Sequence, residues 1–94
     1  MSRLSWRWRA DRDLDAAIDR IARYDLFKAF AQFERIHTQT NMLLEHPKLG
    51  RPGRVKGTRE LVISGTPFVV VYRLPEPQHI EILRLLHGSH RWPE

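Results

Sequence analysis

The chain has 94 residues, 41% of them hydrophobic, and a formal net charge of +5, which is enough apolar material for one small core and points to a single domain over 1–94. With no cysteine present, disulfides, thiolate nucleophiles and zinc-thiolate centres are excluded, and a reducing cytoplasm is the expected setting. The positive charge admits nucleic acid, an acidic protein or an anionic surface as partner.

Taken in order, Leu4 to Trp8 alternates apolar with polar residues, the period of a half-buried edge strand rather than of a signal peptide or membrane span. A soluble chain with no membrane partner is expected. Asp11 or Asp13 is placed to cap a helix in which Leu14, Ala17, Ile18 and Ile21 recur at helical spacing. Asp25 is the next cap candidate, so a second helix follows almost at once. Phe27, Phe30, Ala31, Phe33 and Ile36 spread around that helix and read as core or hairpin packing, broad enough to leave one aromatic facing a partner. Met42, Leu43 and Leu44 extend the pattern to about His46, and Pro47 ends it.

The second half of the chain holds three runs rich in β-branched and aromatic residues: Arg59 to Ile63, Phe68 to Leu74 and Ile80 to Leu86. Ser64, Gly65, Thr66 and Pro67 join the first two as a hairpin. Pro75, Glu76, Pro77 and Gln78 lack a two-residue hairpin signature but still reverse the chain. The middle run is apolar without a break, as for a central strand covered on both faces. The last run alternates, with Ile80, Ile82 and then Arg84 in one phase and Glu81, Leu83 and Leu85 in the other. The expected fold is α+β: an N-terminal strand, a helical hairpin and a three-stranded antiparallel meander, in the order β-α-α-β-β-β, with the helices on one face of the sheet.

Charge is distributed unevenly. Residues 1–46 carry eight Lys or Arg against seven Asp or Glu, and residues 47–94 carry eight against four. Arg51, Arg54, Lys56 and Arg59 form a basic cluster with no acid between them. A tail with His87, His90, Arg91 and Trp92 follows the last strand run.

The blocks GTRELVI, VVYRL and ILRLLHG, with the paired helices before them, closely resemble the RelE/ParE superfamily of bacterial type II toxins over nearly the whole chain. The resemblance implies a toxin that arrests growth when its cognate antitoxin is lost. It also implies one of two mechanisms. RelE-like members are similar to ribosome-dependent ribonucleases that cut messenger RNA, whereas ParE-like members resemble inhibitors of DNA gyrase that need no catalytic residue.

For cleavage, a 2′-hydroxyl must lose its proton, the leaving oxygen must gain one, and the crowded phosphorane needs cations. His90 occupies a place resembling the catalytic histidine of YafQ-like nucleases, and Arg73, Arg59 and Arg91 are the cations that would accompany it. Arg51, Arg54 and Lys56, with His87 and Trp92, are candidates for binding nucleic acid or antitoxin. An acidic antitoxin segment would find the basic loop by electrostatic steering. Trp92 could stack on a base, but closing the end of the sheet is the preferred reading, and His87 packing beside Trp92 is an equal alternative to catalysis. His37, His46 and His79 read as surface residues. No metal-ligand spacing occurs, and no cofactor is expected.

The strand positions at which RelE-like enzymes tend to carry cations hold Glu60, Val62 and Val69. Losing two such donors would slow cleavage by roughly three to six orders of magnitude. Messenger RNA cleavage is the first reading, gyrase inhibition the alternative, and a non-toxic basic binding module a further one.

Overall fold

The computed structural model describes residues 1–88 together with Trp92 and Pro93. Strand β1 (Arg3–Trp6) leads into helix α1 (Trp8–Ala22), and helix α2 (Leu26–Asn41) ends in a single 3₁₀ turn, Met42–Leu44. Strands β2 (Arg51–Pro52), β3 (Arg59–Val62), β4 (Phe68–Glu76) and β5 (His79–His87) follow. The α+β layout is as the sequence indicates, with one correction. The three long strands form the antiparallel meander, but the sheet is mixed and five-stranded, in the order β1-β5-β4-β3-β2. β1 lies parallel to β5, and the basic loop contributes β2, a two-residue edge pairing with β3. Pro52 has no N–H to donate, so its place at the edge costs no ladder bond.

β4 is the middle strand of the five, and Val69, Val70, Val71 and Tyr72 are all buried, as their unbroken apolar run indicates. One sheet face carries Leu61, Ile63, Phe68, Val70, Tyr72, Ile80, Ile82 and Leu85 against Ala10, Leu14 and Ile36 of the helices. Ala17, Ile18 and Ile21 complete the expected stripe of α1 at the margin of this core.

The structure changes several local expectations. Arg7, not Asp11 or Asp13, precedes the first helix, and its side chain makes no capping bond. Its N–H instead donates to the Ile82 carbonyl at 2.9 Å. Strand pairing therefore runs up to the helix start, and Trp8 belongs to the first turn instead of to the strand. Asp25 does cap α2, accepting from the Lys28 N–H at 3.0 Å.

In α2 the buried line is Ala29, Gln32, Ile36 and Thr40. Phe27, Phe30 and Phe33 belong to a different phase and are exposed, so they are not core. The hairpin turn Ser64–Pro67 is tied down on this helix. Gln39 donates to the Ser64 carbonyl and accepts from its N–H, and Arg35 donates to the Gly65 carbonyl.

Strand β4 runs two residues and β5 one residue nearer to their turn than the prolines indicate, and Gln78 there takes a positive φ of 65°. Pro75 falls within the pairing irregularity between Arg73 and Glu76, where its missing N–H breaks no regular bond. In β5 the register passes from Val71↔Arg84 to Tyr72↔Ile82, leaving Leu83 as the extra residue of a bulge. That bulge reverses the alternation. Leu85 joins Ile80 and Ile82 in the core, and Arg84 moves to the other face.

Candidate functional site

Two surfaces carry the exposed chemistry of this fold. The first is the sheet face turned away from the helices, on which strand alternation places Glu60, Val62, Val69, Val71, Arg73, Glu81, Arg84 and Leu86. At its centre Glu60 is only 2% exposed. A buried carboxylate needs charged partners, and the basic loop supplies them. Glu60 accepts from Arg51 Nη2 at 3.3 Å and from the Arg54 N–H at 3.0 Å, while Arg54 Nε lies 3.6 Å away. The loop is thus folded onto the sheet by an acid from the neighbouring strand. Trp92 lies on the same side: its carbonyl is 3.5 Å from Arg54 Nη1, and its ring faces the Arg84 guanidinium at 5.8 Å.

Arg73 is bonded through Nε to Glu81, which also meets Arg7 at 3.8 Å. Arg59 has the phase of Leu61 and stands opposite Tyr72 on the helix side of the sheet. Its Nε is buried with no hydrogen-bond partner among the described residues. Lys56 is exposed near the loop tip. His87 ends β5 and packs edge-on against Phe68, with ring centroids 6.1 Å apart. The six steps along β5 from Glu81, beside Arg73, to His87 span about 20 Å. Of the expected catalytic group, Arg73 and Arg59 therefore lie on opposite faces. His90 and Arg91 lie outside the described residues.

Tyr72 anchors the approach to the basic loop. Its hydroxyl donates to the Pro47 carbonyl at 2.7 Å and accepts from the Gly50 N–H at 2.9 Å. Burial pushes its pKa up, partly offset by the Gly50 hydrogen bond and the nearby Arg59 charge. A Cβ on Gly50 would come within 2.7 Å of the Tyr72 ring, so only glycine fits this approach.

Three further residues have roles that residue type alone did not signal. Asp13 uses both oxygens on Arg84, at 2.7 and 3.1 Å, and also accepts from the Leu85 N–H at 3.0 Å. It thus satisfies the edge of β5 beyond the reach of β1. His37 lies between Trp6 and Phe33, with centroid distances of 5.6 and 4.5 Å. His79 meets Ser5 Oγ at 2.9 Å. Neither is the isolated surface histidine that its sequence context indicates.

The second surface is an apolar ridge on the helical hairpin. Phe27 is 86% exposed and Phe30 63%, with Tyr24, Leu26 and Phe33 also exposed around them. Beside the ridge is a shallow cleft of about 280 Å³ lined by Ile18, Ala22, Leu26, Ala29, Phe30 and Phe33. A contiguous group of this kind marks an interaction site more often than does a single exposed side chain.

The model of the ParE toxin of type II toxin–antitoxin systems matches residues 4–92. The chain belongs to this toxin family. It is 39% identical over 92 residues to the toxin-like protein Y4kP of Sinorhizobium fredii, covering 98% of this chain and 94% of that one. To Toxin RelE2 of Caulobacter vibrioides it is 32% identical over 89 residues, covering 95% and 98%. A solved structure of the chromosomal ParDE TA system from P. aeruginosa superposes with a TM-score of 0.82 at 31% identity, covering 93% of this chain and 96% of that one. The ParE-type toxin fold thus presents two distinct faces here, a charge-compensated sheet and an aromatic hairpin. No described helix is long and apolar enough to cross a membrane.

Proposed function

We propose that this ParE-family toxin arrests growth by binding a protein target, DNA gyrase, and that it acts without catalysis. The carrying observation is the internal neutralisation of the cations a nuclease would need. Arg51 and Arg54 are held by Glu60, Arg73 is held by Glu81, and Arg59 lies on the opposite face. Cationic stabilisation of a phosphorane requires charges aimed at the place where negative charge develops. Here Arg51, Arg54 and Arg73 are instead aimed at Glu60 and Glu81. The aromatic ridge on the hairpin supports the same reading, because buried aromatic anchors dominate the energetics of protein interfaces.

A cognate antitoxin with an acidic segment is the second partner. The resemblance to a chain of a ParDE TA system supports this assignment, and the net charge of +5 would favour an acidic segment. The alternative is RelE-like messenger RNA cleavage by His90 with Arg73, Arg59 and Arg91, which the RelE2 name of one relative favours.

The test is a variant carrying His90→Ala and Arg73→Ala together. Binding without catalysis predicts growth arrest as strong as wild type when the variant is expressed without antitoxin. Loss of arrest in a variant that still folds and still binds antitoxin would favour cleavage.

A further inference from the structure

The Glu60 contacts resemble those of a bound anion more than those of a surface salt bridge. Two guanidinium groups and one backbone N–H converge on a single carboxylate from the same short loop. Such a donor set also suits a phosphate oxygen, since planar guanidinium forks and backbone amides recognise both. The carboxylate sits where a strand residue would ordinarily be apolar: Val71 is its cross-strand partner, and Val69 and Leu86 are buried on the same face. Even when paired, a charge buried there is often no more stabilising than a valine would be. Meanwhile Arg51 and Arg54 remain 61% and 47% exposed, with Arg54 Nη1 turned to the Trp92 carbonyl, so both guanidiniums are still accessible from solvent.

We propose that the loop from Arg51 to Arg54 is an anion site occupied by the chain's own Glu60, and that Glu60 thereby sets specificity by excluding nucleic-acid phosphate from this face. Neutralising the carboxylate leaves two guanidiniums with no counter-charge at a site already shaped for an oxyanion. A phosphodiester of single-stranded nucleic acid can then pair with the solvent-exposed sides of Arg51 and Arg54, with Lys56 near the loop tip able to meet an adjacent phosphate. The positive charge of the protein would in this way be kept for protein surfaces. Such exclusion accords with a protein target, but its test uses neither gyrase nor ribosome, so the two can fail separately.

The experiment measures binding of a short labelled single-stranded RNA to purified wild type, Glu60→Gln and Glu45→Gln by fluorescence anisotropy at about 0.1 M salt. Glu45 is exposed and is not the acid paired with Arg51 or Arg54, so its variant controls for the added unit of net charge. Glu60→Gln is expected to bind about tenfold tighter than wild type, the size of effect for one additional charge-assisted hydrogen bond. Its salt dependence should steepen by roughly 0.7 for each phosphate engaged. Adding Arg51→Ala to Glu60→Gln should abolish the increase.

Equal binding by wild type and Glu60→Gln, or an equal increase in Glu45→Gln, would overturn the proposal. Circular dichroism decides the remaining case. If Glu60→Gln is unfolded in low-salt buffer, an anion site predicts that added inorganic phosphate restores the fold, and failure to restore it would also overturn the assignment.

Discussion

Removing the aromatic ridge separates binding from folding, because the side chains that project furthest contribute least to the core. Phe27 is 86% exposed and Phe30 63% exposed. Full burial of a phenylalanine stabilises by about 1.5–3 kcal/mol. The buried third of Phe30 therefore contributes roughly 0.5–1 kcal/mol to the fold, and Phe27 much less. Phe27→Ala with Phe30→Ala should lower stability by about 1 kcal/mol, a fall in melting temperature of roughly 4–8 °C. If the ridge anchors the target, the same pair should cost about 3 kcal/mol or more of binding, a loss exceeding 100-fold. The assay pairs a thermal melt of the purified variant with a dose series of its expression in cells lacking antitoxin. Near-native stability with arrest lost is the expected result. Arrest at wild-type potency from a folded double variant would refute the assignment of the ridge to the target.

Three other perturbations test how the site is held. Asp13→Ala leaves both Arg84 and the Leu85 N–H without their carboxylate partner and should cost about 2–3 kcal/mol, read from the denaturant midpoint at unchanged slope. Tyr72→Phe orphans the Gly50 N–H and the Pro47 carbonyl and should cost about 2 kcal/mol, seen as a lowered melting temperature. The raised pKa of Tyr72 also has a sign: its stabilising contribution is fully present below the unfolded tyrosine pKa and is lost as pH rises through the higher folded value. Denaturation midpoints measured from about pH 9 upward should fall less steeply in Tyr72→Phe than in wild type. Gly50→Ala should destabilise by about 1–3 kcal/mol, because its methyl group meets the Tyr72 ring; calorimetry of the purified variant measures it.

Much of the fold was legible because local chemistry and tertiary structure agree. The apolar run at Phe68 became the central strand, the Leu14–Ile21 stripe faced the core, and Asp25 capped its helix. The helical phase of α2 was not legible from hydrophobicity alone. Its three phenylalanines outrank Ala29, Gln32 and Thr40 on any apolar scale, yet the smaller residues share the phase of Ile36 and Leu43 and are the ones buried. The recurrence of Ile36 and Leu43 seven residues apart was the available signal.

The bulge at Leu83 was hidden for a related reason, since strict alternation has no means of marking one extra residue. The candidate site was legible as a set of cations but not as a circuit of pairs. Glu60 follows Arg59 directly, yet it compensates Arg51 and Arg54, which reach it only because β2 folds back beside β3.

The central claim is that arrest comes from binding gyrase without chemistry on RNA. The most direct measurement follows plasmid supercoiling and protein synthesis in one culture within minutes of inducing the toxin, with the His90→Ala variant in parallel. Gyrase binding predicts an early change in supercoiling while synthesis continues, identical in the variant. Early loss of synthesis with new messenger ends, abolished by His90→Ala, would contradict it.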